Sequence, residues 1–278
     1  MLVEGTGEPL FPVEERAVPA SSVPGEILSP TQPFPVLPEP IHPFGFSPSD
    51  VFGLTDGDQT VCRETAAALD WEGMYTPPSL NGTLMYPGYA GGMNWGGIAI
   101  DQRRRWAVTN VMRLPFWVRL EERASPDRGN QIGTPYHMVR AMLMSPSGLP
   151  CSPPPWSTLV AIDLDTGEKI WEVPFGAMPG FVEAGFPDAE RLGSPAMGGP
   201  VITAGGLVFI GAAMDDYLRA YDIETGNELW RGALPAGGQA TPMTYIVDGK
   251  QYVVIAAGGH GSIGTTRGDF VVAFTLPD

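Results

Sequence analysis

Residues 161–171 read Ala-Ile-Asp-Leu-Asp-Thr-Gly-Glu-Lys-Ile-Trp, and residues 220–230 read Ala-Tyr-Asp-Ile-Glu-Thr-Gly-Asn-Glu-Leu-Trp. The shared pattern A-x-D-x-x-T-G-x-x-x-W recurs after 59 residues. Self-similarity at a fixed spacing decides architecture ahead of any other feature. Each copy reads as a strand, a tight turn and a second strand. The Asp and Thr side chains can bond turn amides, and the Gly accepts a positive φ. The Trp that ends the second strand is placed to pack on a neighbouring unit.

Two apolar runs, Pro200-Val-Ile-Thr and Leu207-Val-Phe-Ile-Gly, precede the second copy and are parted by Ala204-Gly205-Gly206. The spacing therefore predicts a four-strand unit over 198–233, with strands at 199–203, 206–212, 218–222 and 228–233. A four-stranded meander of this size is a β-propeller blade. A last unit over 240–277 shows three strands. An earlier blade over 82–174 can be built from 82–87, 104–109, 157–163 and 169–174, with an insertion at 111–155. Residues 6–10 look like the tail of another repeat turn, so 1–13 is read as a blade remnant. The expected fold is all-β: a partial propeller of about three and a half blades with long irregular insertions. Such a piece cannot close a ring, so it is expected to belong to a larger protein.

Residues 14–81 differ in character. They are rich in proline, which fixes φ and donates no backbone hydrogen bond, so neither helix nor central strand is expected through the densest part. Phe34, Phe44, Phe46 and Phe52 are interleaved there, which argues for an irregular excursion over a larger body and against a disordered linker. A short Ala-rich helix is predicted over 60–70, with Asp56 or Asp58 as cap. Gly (36) and Pro (30) make up about a quarter of the 278 residues, yet 43% are hydrophobic and 10% aromatic. That combination suits short strands and tight turns and excludes a helix bundle. The net charge of −15 argues against nucleic acid or an anionic membrane as partner. No apolar run is long enough to cross a bilayer, and the N-terminus lacks signal-peptide features. Taken alone, these features read as cytoplasmic. Two cysteines, Cys62 and Cys151, are too few for a disulfide scaffold or a zinc site, and are either buried thiols or a pair.

Propeller ligand sites lie near the axis, on loops that follow inner strands. The repeat places Thr109-Asn110-Val111-Met112, Ala212-Ala213-Met214-Asp215 and Gly258-Gly259-His260-Gly261 in that role, so these loops should converge on one mouth. Asn110 and His260 are the polar candidates there, with Asp215 and Asp216 nearby. A turn role is the alternative for Asn110, and a structural role in a Gly-rich turn the alternative for His260. Asn94-Trp95-Gly96-Gly97 is read either as packing near the axis or as contributing a core tryptophan. His42 and His137 carry no such context. There is no P-loop, no nucleophile elbow, no zinc spacing and no calcium-loop spacing, so no metal ligand is named.

Longer motifs carry a resemblance. Trp71-Glu-Gly-Met-Tyr-Thr-Pro-Pro-Ser-Leu, Asn94-Trp-Gly-Gly, Leu218-Arg-Ala-Tyr-Asp, Leu234-Pro-Ala-Gly-Gly-Gln-Ala-Thr-Pro-Met-Thr-Tyr and Ala256-Ala-Gly-Gly-His-Gly-Ser resemble membrane-bound dehydrogenases that depend on pyrroloquinoline quinone (PQQ), of the glucose/quinate/shikimate type. The resemblance covers essentially the whole chain. It implies an eight-bladed propeller in the periplasm holding PQQ and Ca²⁺, with a membrane domain that passes electrons to ubiquinone. It implies oxidation of a sugar or cyclic polyol hydroxyl, with a carboxylate as base and the metal polarising the quinone. The chain matches the C-terminal part of that propeller. The early blades, which in this family carry the calcium ligands and the catalytic aspartate, are not matched. No catalytic base is therefore named, and the chain is expected to be inactive alone, with the N-terminal half as its partner. Asn110 and His260 match cofactor contacts of the family. An oxidising compartment further implies a Cys62–Cys151 disulfide. The competing expectation is a non-catalytic propeller that binds proteins, as in outer-membrane assembly factors with similar repeats.

Overall fold

The computed structural model describes residues 5–124, 131–183 and 185–277. Residues 1–4 of the expected blade remnant and 125–130 of the expected insertion lie outside them. Nearly all regular structure is strand, and the chain divides into two compact units. One unit holds the chain up to Ala90 together with Leu114–Pro153, and the other holds Gly91–Arg113 and Pro154 onward.

In the first unit, the proline-rich stretch folds back as an antiparallel ribbon of Val13–Ala17 and Thr31–Pro35. A two-stranded ribbon has only edges, which is where Pro33 and Pro35 can be accommodated. The helix spans Asp56–Ala68, earlier than 60–70. Its cap is Thr55, where Asp56 or Asp58 had been expected. The Thr55 hydroxyl accepts from the Asp58 amide at 3.0 Å, and the Thr55 amide donates back to the Asp58 carboxylate at 3.2 Å. This reciprocal box satisfies two helix-end donors and outcompetes a lone Asp. Asp58, Cys62 and Ala66 recur at four-residue spacing and form the buried face. The Ser147 amide and hydroxyl also reach the Asp58 carboxylate, at 3.0 and 2.8 Å. Burial pushes that carboxyl up, but the bonds from Ser147 and Thr55 outweigh it and hold it below the ordinary value. Cys62 and Cys151 form a disulfide with Cα atoms 5.5 Å apart, and both are fully buried.

The strand expected at 82–87 to open the first blade does not join it. Thr83–Met85 pairs with Phe116–Glu122, which pairs with Tyr136–Met142, forming a separate three-stranded sheet. The expected irregular insertion at 111–155 thus supplies two strands of a sheet in the first unit.

The second unit carries the propeller architecture. One four-stranded antiparallel sheet runs Ala99–Asp101, Trp106–Met112, Ser157–Asp163 and Lys169–Pro174. A second runs Val201–Ile202, Leu207–Ile210, Tyr217–Asp222 and Glu228–Ala233. A third has Met243–Val247, Lys250–Ala257 and Phe270–Phe274. The repeat turns form as their sequence dictates. The Asp163 carboxylate accepts from the amides of Asp165 and Thr166, and Asp222 accepts from those of Glu224 and Thr225. Gly167 and Gly226 take φ values of 75° and 71°. The repeat tryptophans face the next sheet. Trp171 donates from Nε1 to the Ile223 carbonyl at 2.7 Å and covers Gly226, and Trp230 meets Phe274 edge-on at 5.0 Å. Val108, Leu159, Phe175, Ile210, Tyr221 and Ile223 belong to one buried cluster, and Leu218, Leu234, Val253 and Ile255 to another.

Candidate cofactor-binding site

At one end of the second unit, the segments that follow Leu207–Ile210 and Lys250–Ala257 bond to Gly238 and Gly237 respectively, and the loops of the neighbouring sheets are bonded to one another. The Phe175 amide donates to the Ser157 carbonyl, and the Ser194 amide to the Phe175 carbonyl. The Ala212 amide donates to Gly238 and the Gly259 amide to Gly237. A line of contacts then runs across this end. The Thr109 hydroxyl donates to the Gly97 carbonyl at 3.1 Å. Gly96 lies directly on Gly198 and Gly199, leaving no room for a Cβ on either side. The Gln239 amide donates to the Ala213 carbonyl at 2.9 Å, the Thr265 hydroxyl to Gln239 Oε1 at 3.0 Å, and the His260 amide to the Thr265 hydroxyl at 2.7 Å. Sequence reading assigns Gln239 and Thr265 no role. Nothing in their local spacing shows that they bridge two loops.

Asn110 is not on a loop. It sits within Trp106–Met112, paired with Leu159, because that strand continues its ladder as far as Met112 and Ser157. His260 lies three residues beyond Lys250–Ala257. The two positions are therefore not equivalent, although each belongs to the linked segments at this end. Asn110 is 1% exposed, and neither its amide nitrogen nor its oxygen has a hydrogen-bond partner among the described residues. An unsatisfied buried polar group costs about 1–3 kcal/mol, so this amide is poised for a partner that can both donate and accept. His260 is partly buried. Its backbone is committed to the turn: its carbonyl accepts from the amides of Ile263 and Gly264. Its Nδ1 is buried without a partner.

Other singled-out residues have local duties. Asp215 takes two bonds from Arg219, at 2.8 and 2.6 Å, and one from the Ala177 amide at 2.7 Å. Asp216 accepts from the Thr266 hydroxyl. Trp95 is no core residue, being 59% exposed. His42 is buried edge-on against Tyr86, and His137 lies 3.5 Å from Glu121. Among the described residues no three His, Cys, Asp or Glu side chains group to hold a metal ion. No helix among them is long and apolar enough to cross a membrane. In the second unit, Asn110 and His260 thus each leave polar side-chain atoms buried without a partner, and the backbones of Gly96 and Gly199 meet without room for a Cβ.

Comparison with known proteins gives the family and the fold. Residues 1–253 match the family described as PQQ: glucose/ethanol/alcohol dehydrogenase, beta-propeller domain. The chain is 44% identical to quinoprotein glucose dehydrogenase of Escherichia coli over 98% of its own length and 36% of that protein. It is 38% identical to quinate/shikimate dehydrogenase (quinone) of Acinetobacter baylyi, with the same coverage of each. It thus spans about a third of the length of these relatives. Among solved structures, quinohemoprotein alcohol dehydrogenase of Comamonas testosteroni superposes with a TM-score of 0.51 at 24% identity, over 70% of this chain and 27% of that one, and shares the fold.

Proposed function

The chain belongs to the PQQ-dependent glucose/ethanol/alcohol dehydrogenase family and carries part of its β-propeller, and on that basis we propose that it forms the C-terminal part of the propeller of an enzyme oxidising a sugar or cyclic polyol hydroxyl. PQQ is the family's cofactor and Ca²⁺ its usual metal. The observation that carries the proposal is the buried, wholly unpartnered amide of Asn110 at the end of the unit where His260 also leaves Nδ1 unpaired.

Both residues suit PQQ. The quinone has carbonyl and carboxylate edges that accept hydrogen bonds and a ring N–H that donates, and a carboxamide can answer either kind. The Asn110 amide would hold one edge of the cofactor, and its pairing with Leu159 in the strand ladder fixes its backbone. His260 would offer one ring nitrogen from a loop whose backbone is already tied down. When bound, PQQ supplies the two-electron oxidant for the hydroxyl-bearing carbon. The Ca²⁺ ligands and the proton-accepting base come from the part of the protein outside this chain, and electrons leave to ubiquinone through a membrane domain. The propeller faces the periplasm, and the chain by itself has no dehydrogenase activity.

The test is a PQQ titration of the full-length protein with Asn110→Ala and His260→Ala, followed by cofactor absorbance, alongside thermal unfolding without PQQ. Weaker PQQ binding with an unchanged unfolding temperature is expected. Lower stability with unchanged PQQ affinity would return both residues to structural roles.

A further inference from the structure

Trp95 is the most exposed of the seven tryptophans in the chain, at 59%. Its indole makes no ring contact or hydrogen bond with the described residues, yet its backbone is tightly held. The Trp95 amide donates to Asn94 Oδ1 at 2.8 Å, and the Gly97 amide to the Asn94 carbonyl at 3.0 Å. The next residue, Gly96, is wedged against Gly198 and Gly199. The register fixes which end it occupies. Ala99 pairs with Val108 in an antiparallel ladder, so the chain preceding Ala99 runs beside Asn110 and Met112. The Met112 amide indeed donates to the Gly92 carbonyl. Met93 and Ile98, on the same segment, are 43% and 39% exposed. A rigid turn therefore presents an uncovered aromatic face at the end that carries the unpartnered Asn110 amide.

Resting on the PQQ dehydrogenase reading, we propose that Trp95 is a substrate-positioning residue, a platform for the C–H face of a pyranose ring. The π face of an indole carries negative potential and attracts the weakly positive hydrogens of axial C–H bonds. A hexopyranose with equatorial hydroxyls exposes such hydrogens on both faces, whereas an acyclic polyol has no flat face. The platform adds ring orientation without a hydrogen bond, leaving the hydroxyls for polar groups at the site.

The test uses the full-length enzyme loaded with PQQ and Ca²⁺, with D-glucose, quinate and glycerol as substrates. Trp95→Ala is expected to raise KM for glucose about tenfold, with kcat and KM for glycerol unchanged. Trp95→Phe should restore most of the glucose KM. PQQ affinity and thermal stability should match wild type in both variants. An unchanged glucose KM in Trp95→Ala overturns the platform while leaving the dehydrogenase reading intact. So does a loss of PQQ affinity or of stability shared by all substrates, which would mean that Trp95 supports the cofactor or another part of the propeller. A PQQ-loaded wild type that oxidises neither ring substrate overturns the dehydrogenase reading itself, and the platform with it.

Discussion

Replacing Gly96 by alanine should disturb the candidate site more than any other single methyl. A Cβ at Gly96 would lie 1.9 Å from the Gly198 carbonyl carbon, 2.1 Å from its oxygen and 2.2 Å from the Gly199 nitrogen. Ordinary contact begins at 3.4 Å, so the two backbones must part by about 1.5 Å. The obstructing atoms are main chain and cannot rotate away, and overpacking against them costs roughly 1–3 kcal/mol or more. With a urea m-value of about 1–3 kcal/mol/M, a midpoint shift of about 1 M is expected in the full-length protein. The displaced segment carries Trp95 and touches Thr109 through Gly97. Misplacement of a site by about 1 Å can cost a hundredfold in rate, so PQQ affinity and turnover should fall together. Gly97→Ala is the control. Its φ is +72° with nothing within 4 Å of a Cβ, so it bears only the left-handed penalty of about 1–2 kcal/mol and should keep PQQ affinity. Wild-type urea midpoint and PQQ affinity in Gly96→Ala would refute the claim that this backbone contact holds the site.

Three further outcomes are expected. Cys62→Ser with Cys151→Ser opens a bridge spanning 89 residues; the chain-entropy model gives about 4–5 kcal/mol, read as a lower urea midpoint that reductant reproduces in wild type. Trp171→Phe removes the bond to the Ile223 carbonyl and should cost about 1 kcal/mol, measured by chemical unfolding, with PQQ affinity unchanged. The Asp163 carboxyl is held below its ordinary value first by the Asp165 and Thr166 amides, and Asp222 first by the Thr225 amide. Because the folded values lie below the unfolded one, their stabilisation is present above about pH 4 and is lost as pH falls through the folded values. Unfolding temperature should therefore drop with acidification below pH 4, and less steeply in Asp163→Asn with Asp222→Asn.

The propeller character was legible because the repeat turn is a local device: an Asp, a Thr and a Gly at fixed offsets suffice, and Asp163 and Asp222 make their amide bonds within three residues. What local pattern cannot carry is pairing over long separations. Thr83–Met85 reads as well for one sheet as for another, and its partner at Phe116–Glu122 is chosen by tertiary packing. Likewise, Trp106–Met112 is buried along nearly its whole length, so no polar alternation marks its end, and the repeat alone puts Asn110 on a loop that in fact begins later. As candidates only, Asn110 and His260 were reachable from the sequence through the repeat and the Gly-rich run. The bridge through Gln239 and Thr265 was not, because a buried side chain serving two loops leaves no periodic trace.

The most direct test of the account is PQQ binding to the full-length protein and its Asn110→Ala variant, with thermal unfolding of both cofactor-free forms. An unpartnered buried amide waiting for a ligand predicts weaker PQQ binding in the variant, by about three- to tenfold for one lost hydrogen bond, with an unfolding temperature equal to or above wild type. Equal PQQ affinity in the two proteins, with a less stable variant, would contradict it.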